Sequence, residues 1–194
     1  MHAPKKRFSY QLHIQLQDFK PAIWRRVLVA DTTSLAELHQ IIQAAMGGLI
    51  GQRFALEIAT QRYGNPNPDQ PDDPTMDARR YTLHQLLQGQ SLPIRYYAGL
   101  AGGLQHRIKL EACTPSDAQE LRQLPLCLDG RSPCPPLSHA LSGNCFDLPA
   151  AQKRVQALSA TALASAGKPS IGAAFLKASP TTASAKRTFE PLSL

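Results

Sequence analysis

The sequence predicts an α+β domain, with a mixed or antiparallel sheet covered by helices on one face. Three observations lead there. Two runs of strand character, FSYQLHIQLQDF and KPAIWRRVLVA, stand in tandem near the front of the chain. A capped helical repeat, SLAELHQIIQAAMGG, follows them. Beyond it the remaining elements come as strand, helix, strand, strand, which is not the βαβ alternation of a doubly wound parallel sheet.

Each element has its own warrant. Tyr10, Leu12, Ile14 and Leu16 alternate with Gln11, His13, Gln15 and Gln17, the pattern of a half-buried strand. Pro21 marks a turn, and Ile23 to Val29 is rich in strand formers, so the two runs predict a hairpin. Ser34 and Glu37 form an S-x-x-E capping box. Leu35, Leu38, Ile41, Ile42, Ala45 and Met46 then repeat on one helical face until Gly47 and Gly48. A hairpin followed by a long helix is a β-grasp-like opening. RFALEIA alternates through Phe54, Leu56 and Ile58 and predicts another strand. Residues 65–77 form a long polar loop with four aspartates at no calcium-loop spacing. Thr82 and Gln85 repeat the capping box at the start of a short helix. LPIRYYAG and LQHRIKLEA predict two further strands; in the second, Leu104, His106, Ile108 and Leu110 share one face, and Arg107, Lys109 and Glu111 the other.

After Glu111 the periodicity fades. Residues 113–147 form a cysteine- and proline-rich loop region, and FDLPAAQKRVQALSATALA has the look of a short helix. The expected domain is 1–158. Residues 159–194 form a basic, low-complexity tail of Ala, Ser, Thr, Lys and Pro, expected to be disordered because such a composition buries too little surface to offset its ordering entropy.

The formal net charge of +7 is uneven. Residues 1–113 hold 13 Lys/Arg against 9 Asp/Glu, residues 114–150 hold 2 against 4, and residues 151–194 hold 6 against 1. Basic ends favour loose contact with polyanions, so nucleic acid is one expected partner and another protein the second. No stretch approaches the ~20 apolar residues of a membrane span, and the front of the chain has no apolar signal region, so no membrane partner is expected and the location is read as cytoplasmic. Four cysteines do not make a disulfide framework and are read as reduced thiols.

Several runs resemble the plasmid Ri ORF-three-like family, which includes passenger proteins of insertion sequences, some labelled TnpR. The P-x-I-W-R-R run from Pro21 to Arg26 is the most specific. L-A-E-L-H at Leu35 to His39, A-M-G at Ala45 to Gly47, YTLHQLL, QHRIKLE and LCLDGRSPCPP agree in order. The resemblance spans roughly residues 8–158. The family's Trp after A-M-G is Gly48 here, its acidic G-D-x-W run before H-R-I is GLAGGL with Leu104, and LSHALSGN follows C-P-P. The chain is therefore similar to a shortened, divergent member. The resemblance implies an association with plasmids or mobile elements and no particular reaction. It marks Trp24, Arg25, Arg26, His106, Asp129 and Arg131 as candidate binding residues.

Cys127, Cys134, His139 and Cys145 give C-x6-C-x4-H-x5-C, four candidate zinc ligands without the short knuckle that most zinc sites use. Packing of Cys127 as a small apolar residue is the plainer reading. His106 falls on an apolar strand face with no acid nearby and reads as a hydrogen-bonded core histidine. Alternation puts Trp24, Arg26 and Leu28 on one face and Arg25 with Ile23, Val27 and Val29 on the other. Arg25 is thus expected at the rim of an apolar layer with its stem buried. Trp24 covered by an arginine is the structural alternative to a basic strand touching phosphates. No nucleophile motif, phosphate loop or metalloprotease pattern is present. The sequence reads as a non-enzymatic accessory or binding protein. A metal-dependent enzyme or zinc-stabilised domain built on the cysteine loop, and an inactive family relative, are the alternatives.

Overall fold

A computed structural model describes residues 6–47, 53–67, 69, 72–99, 103–133 and 146–166, with side chains to residue 158 in the last stretch. The elements are β1 (Phe8–Leu16), β2 (Ile23–Ala30), α1 (Leu35–Met46), β3 (Phe54–Ile58), β4 (Gln61–Gly64), β5 (Met76–Asp77), α2 (Leu83–Leu87), β6 (Ile94–Ala98), β7 (Leu104–Pro115), α3 (Ala118–Arg122), β8 (Leu126–Arg131) and α4 (Leu148–Ala166). They build one mixed sheet in the order β5-β4-β3-β6-β7-β1-β2-β8. All its pairings are antiparallel except β4 with β5. The α+β class and the hairpin-then-helix opening read from the sequence are the observed ones.

Alternation sets the inner face. Tyr10, Leu12 and Ile14 of β1 meet Ile108 and Leu110 of β7, Leu56 and Ile58 of β3, and Ile94 and Tyr96 of β6 in one buried cluster, and Leu16 is buried as well. Against it α1 buries Leu35, Leu38, Ile41, Ile42, Ala45 and Met46, and α2 adds Leu83 and Leu87. Each fully buried Leu or Ile contributes roughly 1.5–3 kcal/mol, so the sheet and α1 hold one another in place. α4 packs on α1 and on β8, with Ala151 and Val155 inside.

The expected caps form. Ser34 Oγ accepts from the Glu37 N–H at 3.2 Å, and Glu37 Oε2 accepts from the Ser34 N–H at 2.7 Å. Gly47 closes α1 with φ 106°, a left-handed position that glycine takes without a Cβ clash. Ser34→Ala is expected to lower folding stability by about 1 kcal/mol, read as a shift in urea midpoint at unchanged m-value.

Two expectations change. The region read as a cysteine- and proline-rich loop carries α3 and the edge strand β8, held to β2 through Val27–Cys127 and Trp24–Arg131 register pairs. The helix that begins at Leu148 runs to Ala166, beyond residue 158, and the rest of the basic tail lies outside the described residues. Among the described residues no helix is long and apolar enough to cross a membrane.

Candidate functional site

The outer face of the sheet is polar, and strand register lines its charges up. Direct cross-strand pairs run from Arg131 on β8 to Trp24 on β2, Gln15 on β1, Arg107 on β7, Arg95 on β6, Glu57 on β3 and Arg62 on β4. Directly opposed residues point the same way, so these side chains share one row. A second row holds Asp129, Arg26, His13 and Lys109.

Charge pairing divides these residues. Arg26 grips Glu111 with both forks, Nε to Oε2 at 2.6 Å and Nη2 to Oε1 at 3.1 Å, and reaches Asp129 at 3.4 Å. Its hydrogen bonds hold the Glu111 carboxyl down at about 2. Arg62 and Arg95 lie 3.5 and 3.9 Å from Glu57. Arg107, Lys109 and Arg131 are exposed and have no ion-pair partner among the described residues. A depression of about 320 Å³ lies between β1 and β7, lined by His13, Gln15, Arg107, Lys109 and Glu111. Burial lowers the His13 pKa; Glu111 opposes that shift, and Arg26 and Lys109 add to it.

Trp24 sits in the first row, half-buried. The His13 ring lies 5.1 Å from its ring, and the Arg26 guanidinium carbon 5.2 Å above it. The arginine-covered tryptophan expected from the sequence is therefore present. Of the residues that the sequence singles out, Trp24, Arg26, Asp129 and Arg131 meet on this face. Arg25 and His106 do not.

Arg25 points inward and is 2% exposed, so it is not at the rim. Its Nε donates to the Ala45 carbonyl at the C-terminal end of α1 at 3.1 Å, and Nη1 donates to the carbonyls of Trp24 at 2.7 Å and Arg131 at 2.9 Å. Phe146 stacks on the guanidinium at 4.1 Å. A buried guanidinium is tolerated because main-chain carbonyls and a ring face replace its water. The close fit needs a glycine: a Cβ on Gly130 would stand 2.7 Å from the Phe146 ring and 2.8 Å from Arg25 Cδ.

His106 is 1% exposed and pairs across the strands with Tyr96, ring centroids 5.3 Å apart. The ring hydrogen-bonds to backbone at Leu104 and Tyr96, while its Nδ1 has no hydrogen-bond partner among the described residues. The sequence reading missed a second buried imidazole, His39. It lies on the apolar side of α1, stacks on Phe54 at 3.9 Å, and bonds the Tyr96 hydroxyl through Nδ1 at 2.7 Å and Gln43 through Nε2 at 2.9 Å. Burial pushes both imidazoles down to about 4 and the Tyr96 hydroxyl well up.

Cys127 is buried on β8, and burial raises its thiol pKa. Cys134, His139 and Cys145 lie outside the described residues. Among the described residues no group of three or more His, Cys, Asp or Glu side chains is placed to hold a metal. The aspartate loop serves itself: Asp73 accepts from the Asn67 and Thr75 N–H groups, and Asp77 pairs with Arg79. Arg7 is tied to the buried Asp31 at 2.9 Å.

Comparison with known proteins agrees with this architecture. The crystal structure of a protein of unknown function, MM3350 from Methanosarcina mazei Go1, matches with a TM-score of 0.56 at 20% identity, over 68% of this chain and 74% of that one. That likeness concerns the fold. The uncharacterised protein y4hQ of Sinorhizobium fredii is 31% identical over 127 residues, which cover 65% of this chain and 63% of the relative. The chain thus spans somewhat less than two thirds of that relative's length. The sequence pattern described as plasmid pRiA4b ORF-3-like protein matches residues 8–139, from the first residue of β1 to beyond the Arg25-bound edge strand β8. Because that match takes in the whole eight-stranded sheet and well over half of the residues, the chain belongs to the plasmid pRiA4b ORF-3-like family.

Proposed function

We propose that this protein is a non-enzymatic nucleic-acid-binding module, and that the outer face of its sheet is the binding surface. The observation that carries this reading is a set of exposed cations without an ion-pair partner among the described residues: Arg107 and Arg131 in line with Trp24, and Lys109 in the neighbouring row. A cation already clamped to a carboxylate gains little from a phosphate. A solvated, unpaired one can release a phosphate's counterions at no loss of an internal bond. The depression beside Arg107 and Lys109 gives a phosphate oxygen two donors from one strand and the His13 ring from the next. An accessory role on plasmid or mobile-element DNA fits a family named for a plasmid reading frame.

The reading is tested by titrating fluorescein-labelled DNA with the full chain across a salt series. Affinity is expected to fall linearly on a log–log plot, by about 0.7–0.9 of a decade per decade of salt for each phosphate engaged. Replacing Arg107 and Lys109 together by Gln is expected to flatten that slope by about 1–2 and to leave the melting temperature unchanged. Absence of binding by the folded protein at about 50 mM salt would overturn the proposal.

A further inference from the structure

The shape of the outer face and the place of its aromatic residue say which form of nucleic acid it takes. Resting on the binding surface proposed above, we infer that the ligand is a single strand, with a base stacked on Trp24 and the adjoining phosphates held by Arg131 on one side and by Arg107 with Lys109 on the other.

Width comes first. The row from β8 to β4 crosses seven strands, about 29 Å at roughly 4.8 Å per step. The major groove of a duplex is about 12 Å across and admits a helix or a two-stranded ribbon. A continuous sheet of this breadth cannot enter it. Lying on the outside of a duplex, it would meet phosphates and leave Trp24 without a role. A single strand has no such limit, because its bases can turn away from its backbone and lie on the sheet.

The position of the tryptophan comes next. Trp24 lies one strand from Arg131 and two strands from Arg107 in the same row. Stacking surfaces set among unpaired cations are what a protein needs to hold successive nucleotides without reading their sequence. Trp24 is also fixed: His13 and Arg26, which oppose one another in the second row, lie 5.1 and 5.2 Å from its ring and so reach it from one side of its own row, with Arg26 anchored by Glu111. A pre-positioned ring loses little freedom when a base lands on it. The carboxylates on this face are largely engaged, Glu111 by Arg26 and Glu57 between Arg62 and Arg95. The repulsion they offer an incoming phosphate is therefore reduced where the strand would run.

Trp24 is the chain's single tryptophan, so its emission reports the site in the unaltered protein. The experiment adds three probes to the full chain at low salt: an oligothymidylate of about 12 nucleotides, a blunt hairpin duplex carrying the same number of phosphates, and heparin as a polyanion without bases. The oligothymidylate is expected to bind at least tenfold more tightly than the duplex and to quench the tryptophan emission strongly. Heparin is expected to bind and leave the emission nearly unchanged. Trp24→Ala is expected to weaken single-strand binding about tenfold, whereas Trp24→Phe, which keeps a ring, retains most of it. Equal affinity for duplex and single strand, or single-strand binding with no quenching, would overturn the single-strand inference and leave the phosphate-binding face standing. Failure of all three probes to bind would overturn the binding reading itself.

Discussion

Acidification from pH 7 to pH 4.5 is expected to remove several kcal/mol of folding stability, most of it through two buried imidazoles. His39 and His106 have folded-state pKa values near 4, against an ordinary value of 6.5. Both are depressed because burial opposes the charged form. Below pH 6.5 the unfolded chain therefore takes up protons that the folded chain refuses. Stability is fully present above that pH and is lost progressively as the pH falls toward 4. Each imidazole accounts for roughly 3 kcal/mol over the whole window at 1.36 kcal/mol per pKa unit. Because both touch Tyr96, their joint effect should fall short of the sum. Glu111 acts in a different window: its pKa, depressed to about 2, supplies stability lost only below its ordinary 4.5.

Urea midpoints measured at steps between pH 7 and 4.5 test this directly. His106→Leu should flatten the curve by about half. At pH 7 it should cost about 0.5–1.5 kcal/mol, because the hydrogen bonding of the ring to the Leu104 and Tyr96 backbone goes with it, although Nδ1 has no partner among the described residues. His39→Leu should flatten the curve similarly, but at a penalty of about 1–3 kcal/mol at pH 7, because Tyr96 and Gln43 lose their shared partner. A midpoint that stays level from pH 7 to 4.5 would contradict the account.

Arg25→Ala is expected to destabilise the protein by about 3–5 kcal/mol, because three carbonyls lose their charged donor at about 1–3 kcal/mol for each that stays buried and unsatisfied. The change withdraws the donor from the Ala45, Trp24 and Arg131 carbonyls and strips Phe146 of its cation. Three elements meet there: the C-terminal end of α1, the start of β2 and the end of β8. Hydrogen exchange should accordingly rise first along β8, the edge strand, and in the last turn of α1. Gly130→Ala probes the same node from outside and should cost about 1–3 kcal/mol through overpacking. A loss below about 1 kcal/mol for Arg25→Ala would show that this guanidinium is not what fastens β8.

The parts of the fold that were legible in the sequence are those whose signals are local. β1, β2 and β7 announce themselves by parity, and α1 by a capping box and a glycine stop. β5 and β8 do not: two residues carry no period, and in β8 only Cys127 is buried. Parity also assigned Arg25 to the apolar side correctly. Its full burial could not be read, because its acceptors come from residues 20 and 106 positions away. His39 passed as a polar residue within L-A-E-L-H, since its partner Tyr96 lies 57 positions on. Alternation puts Arg107, Lys109 and Glu111 on one face, but the alignment of Arg107 with Trp24, and of Lys109 with Arg26, depends on the β1–β7 and β1–β2 registers. Of the cysteine pattern only Cys127 lies within the described residues, where it is a buried thiol.

The strand order has a consequence for how the chain is made. β7 is inserted between β1 and β6, so one flank of the opening hairpin bonds to a segment that begins at Leu104. During translation the hairpin and α1 emerge from the ribosome with that flank bare. At about 5–20 residues per second, the strand that zips it shut arrives roughly 4–14 s after α1 is finished. Nascent chains wait through that interval with Tyr10, Leu12, Ile14 and Leu16, all buried in the finished sheet, half clothed.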